Sequence, residues 1–396
     1  MNPAMTRAER EEASAFGHAE APPTATVGYG PHPDQVVDLF LPEAARALPD
    51  LRAESGFRAT PESRTGSGLQ AGSESRAVPE SWAAPGSRAG GGAPPAGAAA
   101  RVIADAAPPA PGAAPPVPLV VLFHGGAWRA PYDRRHLSPL AAYLAGHGLA
   151  VASVEYRRGP LADGPAASAA GPRQPRAGRW PETFDDIAAA LDALPALVRG
   201  LAAGPAGPSV GGSSDPAAGR VRWADVDADR PVLVGHSAGG HAVLWAAARH
   251  RLPVGSRWRL PAPPALRGVV GLAAIADFGT ARALGVCSHA VDQLLAPQHP
   301  PATPGPGPAE HAALLAHRLA CTDPSALVPS GVPTTLVQGG ADIDVPPAVA
   351  EAFVAAAARA GQRVRLVRVE GVGHFPPIDP ATTTARAVLA EITRLT

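Results

Sequence analysis

Pro231-Val232-Leu233-Val234-Gly235-His236-Ser237-Ala238-Gly239-Gly240-His241 is the stretch on which the fold turns. A Val-rich apolar run stops at Gly235, and an Ala-rich helical pattern runs from His241 to His250. The spacing predicts a strand, a sharp turn and a helix, with G-x-S-x-G at the turn. Such a turn forces its serine into a strained backbone conformation and lifts the hydroxyl above the end of a sheet. Side chains at Gly235 and Gly239 would collide where strand and helix meet. In a chain rich in Gly and Ser the motif alone says little. The strand before it and the helix after it give it weight.

Working outward, three more groups follow apolar runs that read as strands. Pro118 to His124 ends in His124-Gly125-Gly126-Ala127-Trp128. Leu336-Val337-Gln338 leads into Gly339-Gly340-Ala341-Asp342-Ile343-Asp344-Val345-Pro346, and Leu366-Val367-Arg368-Val369 leads into Gly371-Val372-Gly373-His374-Phe375. A serine hydroxyl needs a base in reach before it can attack a carbonyl, and His374 is the candidate. An imidazole base needs a carboxylate to fix its tautomer. Asp342 is favoured over Asp344, although either would also cap the helix expected near Pro346. A tetrahedral oxyanion needs backbone N–H donors, for which Ala238 and one of Gly125 or Gly126 are the candidates. Each group alone has an ordinary reading as a turn or a cap; four of suitable type at strand ends, in the order Ser237, Asp342, His374, do not. His124, His236 and His241 read as packing or loop-orienting residues, and His147 and His289 as turn histidines. Trp128, His236 and Trp180 are also candidates for the substrate pocket, together with the irregular stretch 278–330.

Strand-like and helix-like runs alternate along the chain. Strands are expected over Thr24 to Tyr29, Gln35 to Leu41, Leu149 to Tyr156, Leu266 to Ile275 and Arg363 to Val369, in addition to those above. Helices are expected from Leu137 to Ala145, from Pro181 to about Leu201, from Pro346 to Ala360 and from Thr382 to Leu395. Alternation of this kind predicts an α/β fold with a mostly parallel sheet covered by helices on both faces. Ligands then bind at the carboxyl ends of the strands. Residues 1–22 read as a flexible polar arm and 23–396 as a single domain. Low-complexity Ala/Pro/Gly/Ser inserts at about 43–116, 159–178, 202–219 and 300–308 interrupt that domain; they lack the apolar content to offset an ordering entropy.

Composition narrows the function. The 396 residues include 43 Gly and 48 Pro, an excess that belongs outside packed elements. Lys+Arg 34 balances Asp+Glu 34, so no basic stripe calls for nucleic acid or an anionic membrane. Every one of those cations is Arg, which excludes Schiff-base and Ser-Lys mechanisms. Two cysteines, Cys287 and Cys321, make no disulfide framework. No signal peptide or membrane span is evident. A cytoplasmic protein acting on a small-molecule substrate is expected, without metal or cofactor, since no H-E-x-x-H or ligand-spaced Asp/His cluster stands in the sequence.

On these motifs the chain resembles the esterase/lipase branch of the α/β-hydrolases, near kynurenine formamidase and the BD-FAE-like bacterial esterases. The resemblance rests on His124-Gly125-Gly126-Ala127-Trp128, Gly235-His236-Ser237-Ala238-Gly239-Gly240 and Gly373-His374-Phe375. Gln35 to Pro42, Glu155-Tyr156-Arg157, Trp180-Pro181 with Phe184-Asp185-Asp186, and Ile378-Asp379-Pro380 extend it over most of residues 24–396. It implies Ser237 as nucleophile, Asp342 and His374 as its partners, and Gly125, Gly126 and Ala238 around the oxyanion. The implied activity is hydrolysis of a small carboxylic ester through an acyl-enzyme. An arylformamidase is the alternative, and a non-catalytic binding module on the same fold is a third. Two positions depart from the pattern. Ala127 stands where formamidases often carry an aromatic residue, and Gln338 where a histidine often opens the acid loop.

Overall fold

The computed structural model describes residues 5–44, 115–159, 176–203, 221–296 and 307–396. The four low-complexity inserts lie, apart from their edges, outside the described residues. Eight strands form one sheet in the order β1-β2-β4-β3-β5-β6-β7-β8. These are β1 (Ala25–Gly28), β2 (Val36–Phe40), β3 (Val117–Phe123), β4 (Ala150–Val154), β5 (Val226–His236), β6 (Gly268–Leu272), β7 (Thr334–Gly339) and β8 (Val364–Val369). β2 runs antiparallel to both β1 and β4, and all later pairings are parallel. The expected α/β-hydrolase architecture is therefore present.

Side chains alternate across the sheet, and the core divides accordingly. Leu119, Val121 and Phe123 of β3 belong to one buried cluster, Val120 and Leu122 to the other. The first is covered by α3 (Glu182–Ala203), α4 (Ala238–Ala247) and α8 (Pro347–Arg359), through Phe184, Trp245 and Phe353. The second is covered by α2 (Ser138–Gly146) and α9 (Thr383–Thr393), through Leu140, Leu144, Val388 and Ile392. Burial on both faces explains why these strands read as continuous apolar runs.

Two expectations need correction. The arm of residues 1–22 contains an α-helix, α1 (Arg7–Phe16). Thr6 Oγ1 accepts from Glu9 N at 3.3 Å and Glu9 Oε2 accepts from Thr6 N at 2.6 Å, a reciprocal cap that starts the helix. Tertiary contacts then hold it: Ala15 is buried, and Phe16 packs on Phe375 with ring centroids 5.5 Å apart. The segment 278–330, read as irregular, carries three α-helices among its described residues: α5 (Phe278–Ala283), α6 (Val286–Leu295) and α7 (Pro308–Thr322). The Asp277 side chain caps α5 by accepting from Thr280 N at 2.6 Å. Inside α6, Cys287, Ser288 and His289 hold left-handed backbone angles, with φ from 49° to 58°, which breaks the helical period that a sequence window reads.

Candidate active site

Four loops at the carboxyl ends of β3, β5, β7 and β8 supply the site. β5 ends in His236 and α4 begins at Ala238, so Ser237 is the whole connection. Its φ of 54° and ψ of −115° are a conformation that L-residues avoid, at a cost of about 1–3 kcal/mol. The surroundings enforce it: Ser237 N donates to Leu272 O at 2.9 Å, and Ser237 O accepts from Ile275 N at 3.1 Å. Close approach is what the glycines permit. A Cβ on Gly239 would lie 2.0 Å from Phe123 O, and one on Gly235 2.1 Å from Gly239 O. Ser237 is 2% exposed.

Asp342 sits in the turn after β7, and its carboxylate is completely buried. Its Oδ2 accepts from His374 Nδ1 at 2.8 Å and from Gln338 Nε2 at 3.2 Å. Its Oδ1 accepts from the backbone N–H groups of Asp344 (3.0 Å) and Val345 (2.9 Å). Four donors on a buried carboxylate hold it in one orientation. With its Nδ1 proton committed to Asp342, His374 leaves Nε2 as the proton acceptor. Asp344 is thereby resolved as a neighbour of the pair and not the partner of Nδ1. Burial pushes the Asp344 carboxyl above the usual carboxylate range, against the opposing pull of His374. One ligand-type atom from each of Asp342, Asp344 and His374 lies within 4.8 Å of the others, a grouping that the linear spacing did not suggest. The hydrogen bond between Asp342 and His374 occupies two of these three groups.

Ser237 meets this pair through its predecessor. His236 Nε2 donates to the His374 carbonyl at 3.0 Å, and the two rings lie 4.6 Å apart between centroids. The loop after β3 closes the other side. A Cβ on Gly125 would stand 3.1 Å from Ser237 Cβ, so the Gly125 backbone lies against the serine. Gly126, Ala127 and Trp128 then take φ values of 100°, 51° and 56°, a second strained stretch. Ala238 begins α4, where helix geometry leaves the first N–H groups without intrahelical acceptors.

A buried carboxylate behind this loop, Glu155, was quoted from the sequence only within a matching stretch and given no role. His124, fully buried, sends Nε2 to Glu155 Oε1 (2.9 Å) and Nδ1 to Gly125 O (2.8 Å). Glu155 also accepts from Tyr156 N (3.0 Å), from Arg134 N (3.0 Å) and from Arg158. Burial alone would raise the Glu155 pKa, but His124 and Arg158 outweigh it and hold it at about 2. An acid just past the end of β4, beside Tyr156 and Arg157, was the available signal. Helix α1 was missed as well: Glu11 Oε1 accepts from Gly373 N at 3.2 Å, and Arg7 donates to Gly371 O at 3.0 Å. The Thr6-Arg7-Ala8-Glu9 capping pattern was its visible trace.

The expected pocket residues divide differently. Trp128 has no exposed surface; its ring stands edge-on to His241 (5.3 Å) and Phe278 (6.1 Å) in the core. Trp180 packs on Phe184 and Trp258, each 5.4 Å away, under the Arg318 guanidinium. Both belong to one aromatic cluster, Trp128 inside it and away from any open surface, Trp180 half-buried at its edge. His236 is 2% exposed and joins loops.

A model of the alpha/beta hydrolase family matches residues 120–387. The chain belongs to that family. Among solved structures it is similar to Esterase B from Lactobacillus rhamnosis, at 15% identity over 98% of this chain and 90% of that one, with a TM-score of 0.55. A form of that esterase inhibited by a tributyrin phosphonate matches at 15% identity over 98% and 89%, also with a TM-score of 0.55. At this identity the likeness is one of fold. No curated protein sequence matches the chain.

Proposed function

We propose that the protein is a serine hydrolase of small carboxylic esters, with residues 23–396 working as one catalytic domain. The observation that carries this reading is the buried 2.8 Å hydrogen bond from His374 to Asp342, one residue contact away from a serine held at φ 54°. The esterases of like fold make an ester the first substrate to try.

The geometry supports the following course of reaction. His374 Nε2 takes the Ser237 proton as Oγ attacks the ester carbonyl carbon. Negative charge moves to the carbonyl oxygen, where the N–H groups of Ala238 and of Gly125 or Gly126 receive it. His374 returns the proton to the leaving alkoxide, the C–O bond breaks and the acyl group stays on Ser237. Water, deprotonated by His374, then releases the acid and restores the hydroxyl. Asp342 holds the ring and stabilises the imidazolium at both stages. Every proton is supplied by the chain or by water, so the cycle is complete without a cofactor.

The test uses purified protein, short p-nitrophenyl esters and a fluorophosphonate probe, with Ser237→Ala alongside. Wild-type turnover and labelling that vanish in the variant support the reading. Equal rates in both proteins would end it. A panel that adds lactones and N-formylkynurenine assigns the acyl group. Preference for the formamide would move the assignment to an arylformamidase. No helix among the described residues is long and apolar enough to cross a membrane.

A further inference from the structure

His236 takes no proton in the cycle just described, yet it touches three of the four loops that build the site. It precedes Ser237 in the elbow. Its Nε2 reaches the carbonyl of His374 at 3.0 Å, and its ring lies against that of His374 and, at 6.0 Å, that of Phe375. On the other side its Nδ1 is 2.8 Å from where a Cβ on Gly125 would be. The ring is therefore wedged between the oxyanion loop and the histidine loop.

The direction of the bond fixes the tautomer. A carbonyl oxygen only accepts, so the proton is on Nε2. Burial, followed by the charge of the adjacent His374, pushes the His236 pKa well below 6.5, while the bond to the carbonyl opposes this. His136, itself pushed down to about 3 by burial and by His124, adds a smaller effect in the same direction. Nδ1 is buried without a partner, as a bare lone pair would be. A neutral ring suits the place, because His374 becomes an imidazolium during catalysis and a second cation there would oppose it.

Asp342 orients the His374 ring but does not tie it to the serine. β5 and β8 are separated by β6 and β7, so the two loops start about 14 Å apart, three sheet spacings. The histidine loop also carries Gly371 and Gly373, and glycine resists few backbone angles. We infer that His236 is a positioning residue, whose Nε2–H holds the His374 carbonyl and so sets the reach between His374 and Ser237. The inference rests on the serine-hydrolase reading above. It differs from a packing role, since the ring's shape alone would not serve.

Three substitutions separate these roles. His236→Gln sets an amide N–H close to the place of Nε2. His236→Asn sets one at the place of Nδ1, and His236→Phe keeps a ring with no donor. Expected is a fall in kcat, and in the rate of fluorophosphonate labelling of Ser237, of about 10-fold to 100-fold in the Asn and Phe variants, with KM within about 2-fold and substantial recovery in Gln. Nitrogen-15 spectra of histidine-labelled wild-type protein should show His236 neutral and protonated at Nε2. Asn or Phe variants as active as the wild type would overturn the inference. So would a folded Gln variant no better than Phe, or a proton found on Nδ1. If all three variants fail to fold, the wild-type spectrum still decides. Wild-type protein that neither turns over esters nor labels would defeat the hydrolase reading instead, a result distinct from any of these.

Discussion

Glu155→Gln is the substitution that weighs the carboxylate behind the loop after β3. It keeps the shape of the side chain and removes one charge. Glu155 is held at about 2 against an ordinary 4.5, a depression of roughly 2.5 pH units. At about 1.4 kcal/mol per unit this corresponds to roughly 3 kcal/mol of stability at neutral pH. Deleting one partner of a buried pair costs about 3–5 kcal/mol, in agreement. The sign is fixed by the direction of the shift. The folded pKa lies below the unfolded one, so the contribution is complete above about pH 5 and lost as pH falls toward 2. Urea unfolding at neutral pH should show a lower midpoint in the variant with an unchanged slope. Repeated at decreasing pH, the two proteins should converge, because the wild type loses what the variant never had. Catalysis should fall too, since His124 links Glu155 to the Gly125 carbonyl. Neutral stabilities that agree within about 0.5 kcal/mol, with parallel acid branches, would refute this role for Glu155.

Three further outcomes follow from the same geometry. Ser237→Gly should abolish turnover yet raise stability by about 1 kcal/mol, because relief of strain at φ 54° outweighs the entropy of a glycine; urea midpoints check it. Asp342→Asn should lower kcat by about 10,000-fold with KM little changed, since the His374 tautomer is lost; steady-state kinetics on a short ester show it. Asp379 accepts from Ser14 at 2.5 Å and His18 at 2.8 Å, and although burial alone would raise its pKa these bonds keep it below the ordinary 3.8. The tie is therefore complete above that value and loosens as pH falls. Hydrogen exchange in α1 should accelerate in acid, and Asp379→Asn should bring that faster exchange to neutral pH.

Much of this is legible in the sequence. Runs such as Pro118 to Phe123 and Leu366 to Val369 carry their strand identity in composition, because parallel strands are buried on both faces. The Gly235–Gly239 elbow declares itself through a backbone need that only glycine meets. What stayed hidden depends on contacts distant in sequence. Helix α1 is short and polar, and only its docking on Gly373, Phe375 and Asp379 makes it stable. Trp128 looks like a pocket wall until Phe278 and His241 are seen to enclose it. Glu155 is an unremarkable acid until His124, Arg134 and Arg158 converge on it. The left-handed run at Cys287–His289 broke the period on which a helix is read.

The contacts made by α1 bear on how the protein is handled at the bench. Arg7, Glu11, Ser14 and His18 all grip the segment from Gly371 to Asp379 that carries His374. A start site chosen twenty residues downstream, or a purification tag that unwinds this turn, would leave the sheet whole and slacken its most sensitive loop. Weak turnover in a trimmed preparation would then report the trimming and not the enzyme.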